Sequence, residues 1–367
     1  MVRTLAILAC LLTVCITGAS AFIRHAQAGL GCDGRPECRQ QRSEGGPGTA
    51  AISASVADTR VSGGLGTDPA GVSGAGPART SEPAASAERR PVSVNQSRAV
   101  VIARMLHRVS ASVVGLLAIG LLVFGWNGLP PSGRVAAVCA LLISAFLAWL
   151  GRYTPHPIPW VTIGNVGGGF ALIAAFSCVA ACRGRGFIWT SARPQLAGLA
   201  IAAGALLAAL LWLGLMIGAR DAIPACPTLL CLDGARFDLS AFDPALAQAN
   251  ASTGSGQALH LAHRFVALAF ALVTAMMAWR LWLGGRRALA ALLAVMLAVQ
   301  IALGLTTAAG VDPVVSATLH NVVAALWTAL LAALALQPGV GTATAGLAAV
   351  DQRDHAHHDQ NQAHQAQ

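Results

Sequence analysis

The sequence predicts an all-α polytopic membrane protein whose eight transmembrane helices form two pseudo-symmetric four-helix bundles. Two observations carry this expectation. Of the 367 residues, 55% are hydrophobic and only 11% charged, a composition suited to lipid and far from that of a water-soluble domain. Two separated motifs also recur in the second half of the chain at one fixed spacing, the mark of a tandem duplication.

Apolar runs near the ~20 residues needed to cross about 30 Å of hydrocarbon define the spans. In order they are Thr4–Ile23, Ala99–Trp126, Val135–Leu150, Trp160–Ala181, Leu196–Ile217, Ala258–Leu283, Ala288–Ala309 and Val314–Leu336. The first follows Arg3 and ends in Gly18-Ala19-Ser20-Ala21, so it also has the form of a secretory signal peptide. Its counterpart in the second half favours a retained span. The third and fourth runs are shorter or broken by glycine, which leaves their boundaries loosely set.

A formal charge of +9 can signal nucleic acid, but here all 24 basic residues are arginine and many stand where apolar runs end. They read as topology signals. The loops Asn127–Arg134, Cys182–Arg193 and Arg280–Arg287 carry Arg134, then Arg183, Arg185 and Arg193, then Arg280, Arg286 and Arg287. The positive-inside rule places these loops and both termini in the cytoplasm.

The repeat is specific. Leu106-His107-Arg108 recurs as Ala262-His263-Arg264, and Val161-Thr162-Ile163-Gly164-Asn165-Val166 recurs as Ala317-Thr318-Leu319-His320-Asn321-Val322. Both pairs are 156 residues apart, which implies two bundles joined near Arg183–Pro194. Each bundle also carries a cysteine pair in an outer loop, Cys32 with Cys38 and Cys226 with Cys231, after an arginine (Arg24, Arg220) that ends a span. In an oxidising compartment these pairs are candidates for structural disulfides or for electron exchange.

The cysteine pairs are 194 residues apart, about 38 more than the other motifs, which places an insertion in the first outer loop. Residues Gln40–Arg98, rich in Ala, Gly, Ser, Pro and Arg, supply it and lack the apolar content to build a core. The tail Val340–Gln367 is polar, and its His355, His357, His358 and His364 read as a solvated cluster or a weak metal site. The chain therefore divides into 1–39 (first span and cysteine loop), 40–98 (insertion), 99–186 (the rest of the N-terminal bundle), 187–339 (the C-terminal bundle) and 340–367 (tail).

Ionisable side chains within a span are costly, so they face the bundle interior and mark a site. His107, His263 and His320 meet this description, each roughly 8–12 Å below the outer surface at ~1.5 Å per residue. Two imidazoles at matching depth on different helices can hold a haem iron from both sides, and His263 with His320 form such a pair. Arg108 and Arg264 stand near the outer mouth, where forked hydrogen bonds would neutralise propionates. In the first half the partner position is Gly164, so His107 stands alone as an axial ligand. Gly167, Gly168 and Gly169 would let a flat ring or another helix approach closely. His260 and His156 read as water-exposed bystanders.

These residues resemble the haem A synthase family of bacterial and mitochondrial membranes over nearly the whole chain apart from the insertion and tail. The marks are Arg24 followed by Gly29-Leu30-Gly31-Cys32 and Cys38, the two His-Arg motifs, Ala225-Cys226-Pro227 with Cys231, and Val161-Thr162 leading into Gly167-Gly168. The resemblance implies oxidation of a ring methyl of haem O to the formyl group of haem A, by two hydroxylations and loss of water. It implies a haem b held by His263 and His320, substrate haem taken at His107, and haem O synthase and terminal oxidase assembly proteins as partners. A bacterial inner membrane is the implied location. The chain departs from the family twice: many members carry a glutamate at Arg104 and a histidine at Gly164. Arginine stays protonated and cannot replace a carboxylate as proton acceptor. A non-catalytic b-type cytochrome using only the His263/His320 site, and a helical membrane protein with neither haem nor activity, are the competing readings.

Overall fold

The computed structural model describes residues 1–27, 94–153, 159–182, 194–219, 222, 225–226, 242–243 and 254–335. Among them there is no strand, and eight helices are long and apolar enough to cross a membrane. In chain order they are α1 (Val2–Gln27), α2 (Val94–Gly125), α3 (Pro131–Leu150), α4 (Pro159–Ala181), α5 (Pro194–Ala219), α6 (Gly254–Leu283), α7 (Arg287–Ala308) and α8 (Pro313–Ala335). The shortest, α3, has 20 residues, enough for about 30 Å of helix.

Local sequence sets the ends. Proline opens α3, α4, α5 and α8, where its missing N–H costs nothing and its fixed φ suits the first turn. Between α7 and α8, Gly310 (φ 70°) and Asp312 (φ 40°) take left-handed conformations that reverse the chain in four residues, and Gly285 (φ 77°) does the same after α6. Hydroxyls inside the spans bond back to their own helix. Thr13 donates to the Ala9 carbonyl at 2.7 Å, Thr17 to Thr13 at 2.9 Å and Thr328 to Ala324 at 2.9 Å, which satisfies groups that lipid cannot. Helix α2 starts at Val94, five residues before the expected span. No proline or glycine interrupts Val94–Arg98, so the helix continues into the polar stretch.

In the C-terminal half α5 packs on α6, α6 on α7, α7 on α8 and α8 on α5, closing a four-helix ring. Its core holds Leu207, Phe270, Met277, Leu293 and Trp327, with the Phe270 and Trp327 rings edge to face at 5.3 Å. The N-terminal half has its own core from Ala6, Ala9, Ala118, Leu121, Ala137, Phe176 and Val179 of α1 to α4. The seam between halves pairs the equivalent helices α4 and α8, flanked by α1 against α8 and α5 against α4. Ala324, Ala325, Val166, Phe170 and Ile173 fill it. Glycines let this hub form: a Cβ at Gly167 would meet Leu215 of α5 at 3.5 Å, one at Gly168 Leu147 of α3 at 2.6 Å, and one at Gly169 Thr17 of α1 at 3.4 Å. The glycine run of α4 thus faces three neighbouring helices in succession. Helix α1 is part of this body, with Ala6, Ala9, Ala21 and Gly18 buried.

Candidate functional site

The C-terminal ring holds two of the predicted histidines. His263 projects from α6 toward α5, where it reaches the Leu210 backbone and lies 3.7 Å from the point a Cβ on Gly214 would occupy. His320 projects from α8 toward α7, 3.4 Å from the corresponding point on Gly304. Glycine on each flanking helix leaves room beside each ring. His320 lies close enough to His263 to act on it electrostatically, and both belong to one bundle.

Gln300 of α7 was not legible in the sequence, yet it holds His320. Its Nε2 lies 3.1 Å from His320 Nε2, 3.3 Å from Nδ1 and 3.4 Å from the His320 carbonyl oxygen. Its Oε1 is buried without a partner. A neutral imidazole has one acceptor and one donor nitrogen, so the amide can receive the ring N–H once the other nitrogen is taken by a metal. A second unforeseen group is His25 of α1, only 5% exposed, whose Nε2 lies 3.5 Å from Asn321 Nδ2. It also feels the charge of His320 and of Arg24. For Gln300 the available signal was a single polar residue in an apolar run, whereas His25 lies beyond the apolar run beside Arg24.

In the N-terminal half His107 points at the Ile16 backbone of α1. Its surroundings are more open than those of His263. Met105 is 63% exposed, whereas its counterpart Leu261 is 8% exposed, and Ile102 is 65% exposed against 1% for Ala258. Helices α5 and α6 are closely paired along their backbones, while α1 and α2 are not. Arg104 and Arg108 are exposed on α2, and Arg264 on α6 is half-buried and already engaged. A Cβ on Gly164 would meet Leu150 Cδ2 at 2.6 Å and the Phe146 ring at 3.7 Å, both on α3, the helix equivalent to the α7 that His320 faces. Gly164 lines an apolar cleft of about 560 Å³ with Phe146, Trp149, Tyr153 and Trp160, aromatic residues suited to a membrane boundary.

One expectation is corrected. His260 is half-buried, and its Nε2 lies 2.9 Å from the Ala222 carbonyl oxygen, so the segment after α5 folds back onto α6 and removes it from water. Cys226 is buried and disulfide-bonded. Cys32, Cys38, Cys231, His156, the Arg183–Arg193 loop, most of the insertion and the histidine-bearing tail lie outside the described residues.

The residues fit a haem. The Nδ1 atoms of His107 and His263 are buried with no hydrogen-bond partner, which leaves both rings ligand-poor in a setting where unpaired polar atoms are expensive. Among the described residues no three His, Cys, Asp or Glu side chains cluster as a metal site. Two imidazoles suffice for a porphyrin iron, because the macrocycle brings four nitrogens of its own. The sequence model of the COX15-CtaA family, described as cytochrome oxidase assembly protein, matches residues 67–335. No curated protein and no solved structure matches the chain.

Proposed function

This chain belongs to the cytochrome oxidase assembly protein family, and from that premise we propose that it is a haem A synthase-like membrane oxidoreductase that oxidises a methyl group of haem O to the formyl group of haem A. The observation that supports the proposal is that His263 and His320 belong to one closed four-helix ring, each imidazole beside a glycine of a neighbouring helix. His263 and His320 would hold a haem b, and His107 would present its free nitrogen to the substrate haem in the more open half. When bound, the haem iron supplies the electron transfer and oxygen chemistry.

The chain's own contribution is orientation and exclusion of water. Gln300 lies within hydrogen-bond reach of the His320 ring and can orient it through one nitrogen, and Gly214 and Gly304 let the imidazoles pack close to the neighbouring helices. The loose packing of α2 around His107 suits a site that must admit and release its porphyrin, whereas the closed ring around His263 suits a resident group. Arg108 and Arg264 would neutralise propionates.

The bacterial inner membrane, with both termini cytoplasmic, is the orientation we infer. Arg134 stacks on Trp126 at 5.4 Å and Arg287 on Trp282 at 5.6 Å at the bundle end that also holds Val2, the pairing expected at a positively flanked interface. Haem O synthase and oxidase assembly proteins would be the partners.

The test is to express the chain in a membrane that accumulates haem O, extract the haems and separate them. Haem A should appear with the wild type and vanish with His107→Ala; persistent absence of haem A from well-folded wild type refutes the activity. A second reading, a b-type cytochrome without catalysis, is favoured by Gly164 facing α3 and by Arg104 in place of a carboxylate. It predicts a low-spin haem spectrum that His107→Ala leaves unchanged.

A further inference from the structure

We propose that Arg24 of α1, a helix of the N-terminal half, completes the haem pocket of the C-terminal half by binding a propionate carboxylate. The inference rests on the haem reading above and assigns a residue to that same site.

Arg24 stands near the end of α1 opposite Val2, and its Nε is buried without a hydrogen-bond partner. No carboxylate among the described residues pairs with it. A guanidinium withdrawn from water in a membrane helix is strongly unfavourable unless an anion joins it. The protein retains the charge and leaves the anion's place to a ligand.

Position says which ligand. A Cβ on Gly218 of α5 would lie 3.4 Å from Arg24 Nη1, and one on Gly214 would lie 3.7 Å from His263 Cε1. Residues four apart share a helix face, so Arg24 touches the face of α5 that His263 touches, about 6 Å further toward the end of the helix. The next residue, His25, leans on Asn321 beside His320. The tip of α1 therefore lies between α5, which flanks His263, and α8, which carries His320, on the side where α5 ends. A porphyrin held by His263 and His320 carries two carboxylates on one edge, and a guanidinium one turn beyond a ligand is placed to receive one of them in a forked, charge-assisted pair. The shared chemistry is an anionic oxygen group, which a lipid phosphate could also offer.

The experiment loads the full-length protein in detergent with haem b or with haem b dimethyl ester and follows release to apomyoglobin by the Soret band. Wild type should release the ester about tenfold faster than the acid, the change expected for one lost charge-assisted pair. Arg24→Met should release the acid about tenfold faster than wild type and discriminate far less between acid and ester, with Arg24→Lys intermediate. Methionine removes an uncompensated charge, so the variant keeps its fold, and the ester comparison on wild type needs no variant at all. Equal release rates of acid from wild type and Arg24→Met overturn the proposal while leaving the haem site intact. Loss of bound anionic phospholipid from Arg24→Met with unchanged haem release reassigns the site to lipid and also overturns it. A wild type that takes up no haem overturns the haem reading itself.

Discussion

Substituting the family histidine into the N-terminal half, Gly164→His, separates the structure from an argument by pattern alone. Were position 164 a vacant ligand site, the new imidazole would face His107. The structure obstructs it instead, since a Cβ there already comes within 2.6 Å of Leu150 Cδ2. Leu150 is 7% exposed and must move, but it can swing toward the 560 Å³ cleft that it lines. Overpacking a helix seam costs about 1–3 kcal/mol, and the nearby cleft places this change at the low end, about 1 kcal/mol. For a body of this size that lowers Tm by roughly 2–4 °C. Leu150→Ala in the same chain should restore most of the loss, because the two residues touch. Differential scanning fluorimetry in detergent measures the stability, and the Soret and EPR spectra of haem-loaded protein report ligation. A Gly164→His variant as stable as wild type, with one more six-coordinate low-spin haem per chain, refutes the reasoning.

His263→Ala should abolish the low-spin spectrum of the purified protein; retained low-spin haem would falsify the ligand assignment. Gln300→Leu leaves the fold intact but frees the His320 ring, so haem affinity by titration should fall about 10- to 100-fold. In the C-terminal core, Trp327→Ala removes a fully buried ring stacked at 5.3 Å on Phe270 and should cost about 3–5 kcal/mol in a denaturation assay, whereas Trp327→Phe keeps most of the packing. Gly18→Ala brings a Cβ to 2.9 Å from Val322 Cγ2 and should loosen the α1–α8 seam by about 1 kcal/mol, with Val322→Ala relieving it.

The helices were legible because lipid imposes a single rule: an apolar run of sufficient length must satisfy its backbone internally. Their number, order and approximate bounds followed from that rule. The two repeated motifs likewise pointed to His107, His263 and His320, of which the last two belong to one bundle. What the sequence concealed is which face of each helix meets which neighbour. Gly164 and His320 hold equivalent positions in the repeat and turn toward equivalent helices, α3 and α7, but the first meets the bulky Leu150 and Phe146 and the second the polar Gln300. Comparison of the halves was also blind to residues without a counterpart. Gln300 aligns with Ser144, which bonds its own helix at Ala140, so the repeat gave no reason to single it out. His260 was misjudged because the return of the chain at Ala222 is a tertiary event with no local sequence signature.

The contacts made by the outer end of α1 set the order in which this protein can be built. Asn321, the partner of His25, lies 296 residues downstream. At roughly 5–20 residues per second, a ribosome needs about 15–60 s to deliver it after α1 has left the exit tunnel. Throughout that interval the imidazole at the tip of α1 lacks the asparagine it finally touches, and until Gly218 of α5 arrives the snorkelling reach of the arginine keeps the first helix tolerable to the bilayer. Release of the first half alone would strand those groups, so a nascent chain arrested before α8 is the species that membrane quality control should recognise and degrade.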